Sequence, residues 1–303
     1  MDSWLSITAS KIDWPVLYIF NTMGNTCCSI CVTEQPKHLI ALKFPHGSTG
    51  IAWATNRFET IDINNWLSVI YSGSIWTGWV CYNDELPEGS KTAKGHCKGI
   101  LAWNETRIGW LIHSVPRFPR TFTGSSISSI ESSELIYGQS FLYIEQARRT
   151  VRLEDVLRQI LYMKPNLFHT MNVPSVSLYE PNPLEIKTLQ WSKTMIHLAK
   201  GPSHATDFIG SELPKLDGGP WHEESWKRGS EYQSQNQLIA IQKLCSGDTA
   251  WTSSQDHSKW ATSPTKVWIG DLNHMRSQEK RGGGGMVITN RELAAAFRNL
   301  IKE

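Results

Sequence analysis

"GHCKGILAWNETRIGWLIHSVP", residues 95–116, is the stretch from which the rest of the chain is read. It reads as a β-hairpin with His96, one spacer and Lys98 at its mouth. In a strand, residues i and i+2 project from one face, so the imidazole and the ammonium reach the same point while Cys97 turns away. A second copy, "DHSKWATSPTKVWIGDLNHM", spans residues 256–275 and again opens with His, spacer, Lys at His257 and Lys259. Laid over the first, it sets Trp268 on Trp110 and Asp271 on His113, with the turn three residues shorter. One HxK carries little weight. Two, each opening a hairpin whose return strand carries W-[LI]-x-[HD], point to an internal duplication with a site between the halves.

The totals leave the function class open. The chain has 303 residues, 40% of them hydrophobic and 10% aromatic, enough for a large packed core. Thirty Lys+Arg against 28 Asp+Glu name no partner at neutral pH, although ten histidines would turn the surface positive in acid. The start shows no secretory leader and no apolar run approaches a membrane span, so a soluble protein without a membrane partner is expected. A cytoplasmic location is expected if Met1 is the native start, and a lysosomal or secreted one if a leader was removed. The six cysteines (Cys27, Cys28, Cys31, Cys81, Cys97, Cys245) are too scattered for a disulfide scaffold, and the CxxC within "CCSIC" lacks a second ligand pair. Asn104-Glu105-Thr106 is a glycosylation sequon that matters only in a secretory pathway.

Strands are expected at residues 14–20, 38–44, 78–84 and within 135–145, and a short helix within 61–71. Residues 152–163 place Leu153, Val156, Leu157, Ile160 and Leu161 on one helical face. A closing helix follows Thr289, whose pairing with Glu292 reads as a capping box. Residues 121–134 read as an irregular surface connection, and the tryptophans within 215–230 suit either base stacking or the anchoring of a long loop.

Bringing the two HxK pairs together supplies two imidazoles and two ammonium groups around one anion. A phosphodiester fits that description. The lysines neutralise the non-bridging oxygens, one imidazole attacks phosphorus, and the other, protonated, donates to the departing oxygen. Two ammonium groups take the part that Mg²⁺ takes elsewhere, so neither metal nor cofactor is expected.

The segments "GHCKG…GWLIHSVPRFP", "DHSKW" and "GDLNHMRSQEKRGGGG" resemble the signatures of the deoxyribonuclease II family, within the phospholipase D superfamily, and "KIDWPVLYIF" is similar to that family's first strand. The resemblance runs in order from about residue 11 to residue 302. It implies an α/β, phospholipase D-like pseudo-dimer: two β-sheet halves, residues 1–150 and 151–303, flanked by helices, packed as one unit with the active site between them. It also implies metal-independent endonucleolytic cleavage of DNA, recognised through its phosphate backbone, to 3′-phosphate and 5′-hydroxyl ends, favoured at acid pH. By position, His96, Lys98, His257 and Lys259 become the catalytic tetrad, which agrees with the reading from spacing. Where animal members carry cysteines, this chain has Ala261 and Ile269.

Supporting roles stay open between two readings each. His113 either contacts phosphate or orients His96, or else is a buried structural histidine. Asp271 and Asn273 either orient His257 and a phosphate oxygen, or cap a turn. "RGGGG", residues 281–285, reads as an anion nest or a flexible turn, and Cys97 as an exposed thiol open to oxidants. Which histidine is the nucleophile stays undecided, as does the oligomeric state. GxSxG, Walker, dinucleotide and HExxH signatures are absent. The competing classes are another phospholipase D-type phosphodiesterase acting on lipid, for which no basic amphipathic helix is visible, and a non-catalytic nucleic-acid-binding relative, against which the two intact HxK pairs argue.

Overall fold

Both hairpins form, and local side chains set their turns. Asn104 Oδ1 accepts from the backbone N–H of Thr106 at 3.0 Å and of Arg107 at 2.9 Å. In the second hairpin Ser263 Oγ accepts from Lys266 N at 3.0 Å. Such short polar side chains offer the backbone its turn bonds where no ladder partner exists. The computed structural model describes residues 37–89, 94–177, 184–226 and 237–302. The strand expected at residues 14–20 and the Cys27, Cys28 and Cys31 group lie outside them.

The chain runs β1 (Lys37–Lys43), β2 (Thr49–Ala54), β3 (Arg57–Asp62), α1 (Ile63–Tyr71), β4 (Gly78–Asn83), β5 (Gly99–Trp103), β6 (Arg107–His113), α2 (Ser132–Leu135), β7 (Gln139–Ala147), α3 (Leu153–Tyr162) and β8 (Asn166–Met171). These strands make one sheet, in the order β3-β2-β1-β7-β6-β5-β4-β8. It continues with β9 (Lys187–Ser192), β10 (Met195–Lys200), α4 (Phe208–Leu216), β11 (Trp221–Glu224), β12 (Leu238–Ala240), a separate hairpin β13 (Lys243–Ser246) and β14 (Thr249–Thr252), then β15 (Trp260–Thr262), β16 (Lys266–Gly270), β17 (Gly283–Thr289) and α5 (Arg291–Arg298). The second sheet has the order β12-β11-β15-β16-β17-β10-β9. This is the expected α/β pseudo-dimer of two sheets flanked by helices.

Both faces of each sheet are covered, which is why the central strands are apolar on both sides rather than alternating. From β6, Ile108, Trp110 and Ile112 enter a core shared with Val267 and Ile269 of β16, while α3 and α5 add Val156, Leu157, Ile160, Leu293 and Phe297 to the same layer. Leu111 turns to the opposite face, where α1 packs, and Trp268 turns toward α4. The buried indole of Trp110 donates to Tyr82 Oη at 2.8 Å, so its polar edge is satisfied. At α5 the observed cap is Asn290, whose side chain accepts from Leu293 N at 3.0 Å. Thr289 is still engaged as the last residue of β17, opposite Lys266, and cannot serve as the expected cap.

The register corrects the superposition of the two hairpins. His113 N donates to Lys98 O at 3.2 Å, and Gly270 N donates to Lys259 O at 3.0 Å. Once the lysines are equated, His113 therefore corresponds to Gly270, Ser114 to Asp271, and Trp110 to Val267. Trp268 is the counterpart of Leu111, one residue along and on the other face of its sheet. The same correspondence carries β4, β5, β6, β7 and β1 onto β11, β15, β16, β17 and β10.

The glycines of residues 281–285 are neither a turn nor an anion nest. Gly283–Gly285 lie inside β17. A Cβ on Gly284 would stand 2.1 Å from Leu198 O, and one on Gly285 2.5 Å from Trp268 Nε1. They let the strand fit between β10 and β16 with the indole lying across it.

Candidate active site

His96 and Lys98 lie just before β5, with the chain bending at His96. The alternation expected for a strand already holds there, because Cys97 enters the shared core while its neighbours face the cleft. Lys98 Nζ lies 2.6 Å from Asp84 Oδ1, at the end of β4. Asp84 Oδ2 also receives Arg281 Nη2 at 3.1 Å and stands 3.7 Å from His96 Nε2. Arg281 belongs to the far half of the sequence and is held by donating to Lys94 O at 2.7 and 2.9 Å.

The second HxK meets the first through backbone bonds that cross between the sheets. His257 N donates to Gly138 O at 2.8 Å, and His96 N donates to Gly282 O at 2.7 Å. Gly138 and Gly282 are counterparts in the repeat, so each histidine is registered against the opposite sheet's strand. His96 Nδ1 bonds Asp271 O at 2.5 Å, and since a carbonyl only accepts, Nδ1 carries the hydrogen. In a neutral ring that leaves Nε2 with the lone pair. Lys259 N donates to Ser140 Oγ at 3.1 Å, and its Nζ donates to His257 O. The His257 ring stacks on Tyr137 at 4.0 Å and 10°, meets the edge of Trp226 at 3.8 Å, and has Glu134 Oε2 3.9 Å from Nδ1.

The electrostatics record how closely the cations are gathered. Burial, and after it the ammonium of Lys98, brings Lys259 down to about 7. Burial and Lys98 likewise hold His96 well below the usual imidazole range, against the opposing pull of Asp84. Burial pushes Asp271 up to about 7, against the bond its Oδ1 accepts from Gly284 N at 2.9 Å. At Asp84 burial pushes the same way, but the Lys98 ammonium, with the Arg281 guanidinium beside it, outweighs it and keeps the carboxyl well below the carboxylate range. Cys97 is not the exposed thiol expected: it is fully buried, and burial drives its pKa well up, away from the reactive thiolate.

The supporting residues divide. Asp271 stands in the site, reaching His96 through its carbonyl. His113 is wholly buried beside Phe118 and Phe141. Its Nδ1 accepts from Val115 N at 3.2 Å, and burial lowers it to about 3, the setting of a neutral core histidine. Asn273 lines a separate small cleft with Lys200, Asp207 and Gln278. Beside it, His274 bridges Asp207 at 3.3 Å and Glu223 at 3.4 Å, and these two carboxylates outweigh burial and raise it to about 9.

Asp84, Arg281, Ser140, Tyr137, Trp226 and Glu134 escaped the reading from spacing, since none stands at a fixed interval from either HxK. The repeat register, visible only once the strands are paired, relates four of them as unlike counterparts: Trp226 is the counterpart of Asp84, and Arg281 that of Tyr137. Among the described residues, no group of three or more His, Cys, Asp or Glu side chains is arranged to hold a metal ion.

A sequence model of the Deoxyribonuclease II family matches residues 54–303 of this chain. Cell-death-related nuclease 7 of Caenorhabditis elegans is 27% identical over 74% of this chain and 67% of its own length. Deoxyribonuclease-2-alpha of Mus musculus is 26% identical over 98% of this chain and 91% of its own length. A putative deoxyribonuclease-2 of Burkholderia pseudomallei is 26% identical over 79% of this chain and 74% of its own.

Proposed function

The chain belongs to the deoxyribonuclease II family, and on that footing we propose that it cuts DNA through a phosphohistidine on His96, without a metal, leaving 3′-phosphate and 5′-hydroxyl ends. It is a deoxyribonuclease II-like endonuclease, with DNA as its substrate. The residue roles and the steps are our reading, and one observation carries them: the second hairpin's Asp271 carbonyl bonds the ring of the first hairpin's His96.

In this reading His96 Nε2 attacks phosphorus and forms the P–N bond. The P–O5′ bond breaks as His257 passes its proton to the departing 5′-oxygen. His257 then takes a proton from water, whose oxygen bonds phosphorus as the P–N bond breaks and the 3′-phosphate is released. Lys98 and Lys259 neutralise the non-bridging oxygens. The surroundings support this division. His96 is held neutral, as a nucleophile must be. His257 has an aromatic face and a carboxylate beside it, both of which favour a cationic partner.

An acid preference follows from the same groups. Lys259 at about 7 loses its charge as pH rises past neutrality, while Asp271, also at about 7, gains one. The pocket is therefore most positive toward a phosphodiester in acid. We read the chain as two halves, residues 1–150 and 151–303, each contributing one HxK, with β8 returning to the edge of the first sheet.

The test is digestion of supercoiled plasmid from pH 4 to 9 with and without EDTA, with analysis of the ends, for the wild type, His96→Ala and His257→Ala. Cleavage that persists in chelator, yields 3′-phosphates and is lost in both variants is expected. A strict Mg²⁺ requirement, or a histidine variant at wild-type rate, would refute the tetrad.

A further inference from the structure

The repeat contains a second pair of recurring lysines. At the positions equated by strand register in the five equivalent strands and their flanks, the ionisable residues that recur are His96 with His257, Lys98 with Lys259, and Lys43 with Lys200. Lys43 ends β1 and Lys200 ends β10, and each is 1% exposed. An ammonium so deeply buried is costly unless all its protons are taken. Lys43 Nζ donates to Phe44 O at 2.9 Å, Gly47 O at 3.0 Å and Leu135 O at 2.8 Å. Lys200 Nζ donates to His204 O at 3.3 Å, Glu279 O at 2.7 Å and Arg281 O at 2.5 Å. The duplication extends to the acceptors: Gly47 and His204 are counterparts, and so are Leu135 and Glu279.

Each of these lysines ties down the segment that leads into the cross-sheet bonds. Leu135 stands three residues before Gly138, whose carbonyl receives His257 N, and between them Tyr137 stacks on the His257 ring. Arg281 immediately precedes Gly282, whose carbonyl receives His96 N, and its side chain reaches Asp84. Packing alone would be served by an apolar side chain at either place. Three converging carbonyls require a compact triple donor, which is lysine's chemistry.

We propose that Lys43 and Lys200 are positioning residues of the nuclease reaction, each holding the turn against which the opposite half's catalytic histidine is registered. Lys43 acts on His257 and Lys200 on His96. The inference rests on the reading of those histidines as catalytic. A displacement of about 1 Å in a reacting group costs on the order of 10²-fold in rate, so loosening either turn falls on turnover rather than on DNA binding.

The experiment uses the full chain with Lys43→Met and Lys200→Met, measuring kcat and KM for plasmid nicking, thermal unfolding, and NMR of ring-¹³C-labelled histidine. Expected is a fall in kcat of about tenfold or more with KM unchanged. The ring signal of His257 alone should shift in Lys43→Met, and that of His96 alone in Lys200→Met. Lys43→Gln and Lys200→Gln, which keep two N–H donors, should recover part of the rate, and they replace the Met variants if those do not fold. Wild-type kcat in folded lysine variants, with His96→Ala and His257→Ala inactive, overturns the positioning role and spares the catalytic assignment. Equal disturbance of both rings overturns it too, because that is what general loosening produces. Activity in a histidine variant refutes the catalytic assignment itself.

Discussion

Asp84→Asn should unfold the protein at a markedly lower temperature while leaving the side chain's size intact. The carboxylate is the counterion of Lys98 at 2.6 Å and of Arg281 at 3.1 Å, with His96 Nε2 at 3.7 Å, and the Lys98 side chain is only 2% exposed. Neutralising it strands a buried ammonium, and breaking a buried pair in this way costs about 3 to 5 kcal/mol. With roughly 2.1 cal/mol/K of unfolding entropy per residue, each kcal/mol moves the midpoint of a 303-residue chain by roughly 1.6 °C, so a fall of about 5 to 8 °C is expected. The sign with pH follows from the depressed carboxyl. Its stabilisation is complete above the unfolded carboxylate range and is lost only as pH falls below about 4. Thermal melts of wild type and variant at low salt should therefore differ by a constant amount from pH 5 to 8. Inorganic phosphate should raise the variant's midpoint more than the wild type's, because the uncompensated cations then take an external anion. Midpoints within about 2 °C, well under the worked shift, would refute Asp84 as the counterion of this pocket.

With Lys259 at about 7, kcat/KM for plasmid should decline as pH rises through neutrality, and Lys259→Arg, whose charge does not titrate there, should move that limb upward; an unmoved limb would exclude Lys259 as its origin. His274 is raised to about 9 by Asp207 and Glu223, so its bridge contributes fully below the unfolded histidine range and fades between about pH 6.5 and 9. The midpoint difference between wild type and His274→Gln should shrink over that window, and a difference independent of pH would rule out the ionic bridge. Gly284→Ala should yield little folded protein, because its Cβ would stand 2.1 Å from Leu198 O in the middle of a sheet; normal expression and melting would show that β17 does not pack as described.

Much of this architecture was legible because strand pairs and helix stripes leave periodic signals. The two hairpins, the stripe of α3 and the HxK pairs all depend on residues close in the chain. The slip of Trp268 against Trp110 has a different origin. The recurring Trp is a side-chain coincidence, whereas the register is set by bonds such as His113 N to Lys98 O and Gly270 N to Lys259 O, and turns of unequal length separate the two. Glycines at residues 283–285 looked like loop because a lone sequence does not show that Leu272, the Leu198 carbonyl and the Trp268 indole crowd them in turn. Asp84 and Arg281 meet only in the folded chain, 197 residues apart, and no local period joins them.

The same correspondence explains how a duplicated site acquires a direction. A pocket built from two identical halves would offer either histidine as nucleophile, since nothing would distinguish them. Here the backbone is matched, with Gly282 O holding His96 and Gly138 O holding His257, but three flanking positions differ in kind. At the end of β4 stands Asp84, and at its counterpart after β11 stands Trp226. Ahead of β17 stands Arg281, and at its counterpart ahead of β7 stands Tyr137. One histidine is thereby set among charges, the other against two rings. Burial and cations on the first side keep His96 unprotonated, whereas the Tyr137 face and Glu134 on the second suit a cation. Glu134 beside His257 is answered by Gln278 on the first side, so on this argument the asymmetry of the proposed reaction is written at three positions flanking the matched backbone: Asp84 against Trp226, Arg281 against Tyr137, and Gln278 against Glu134.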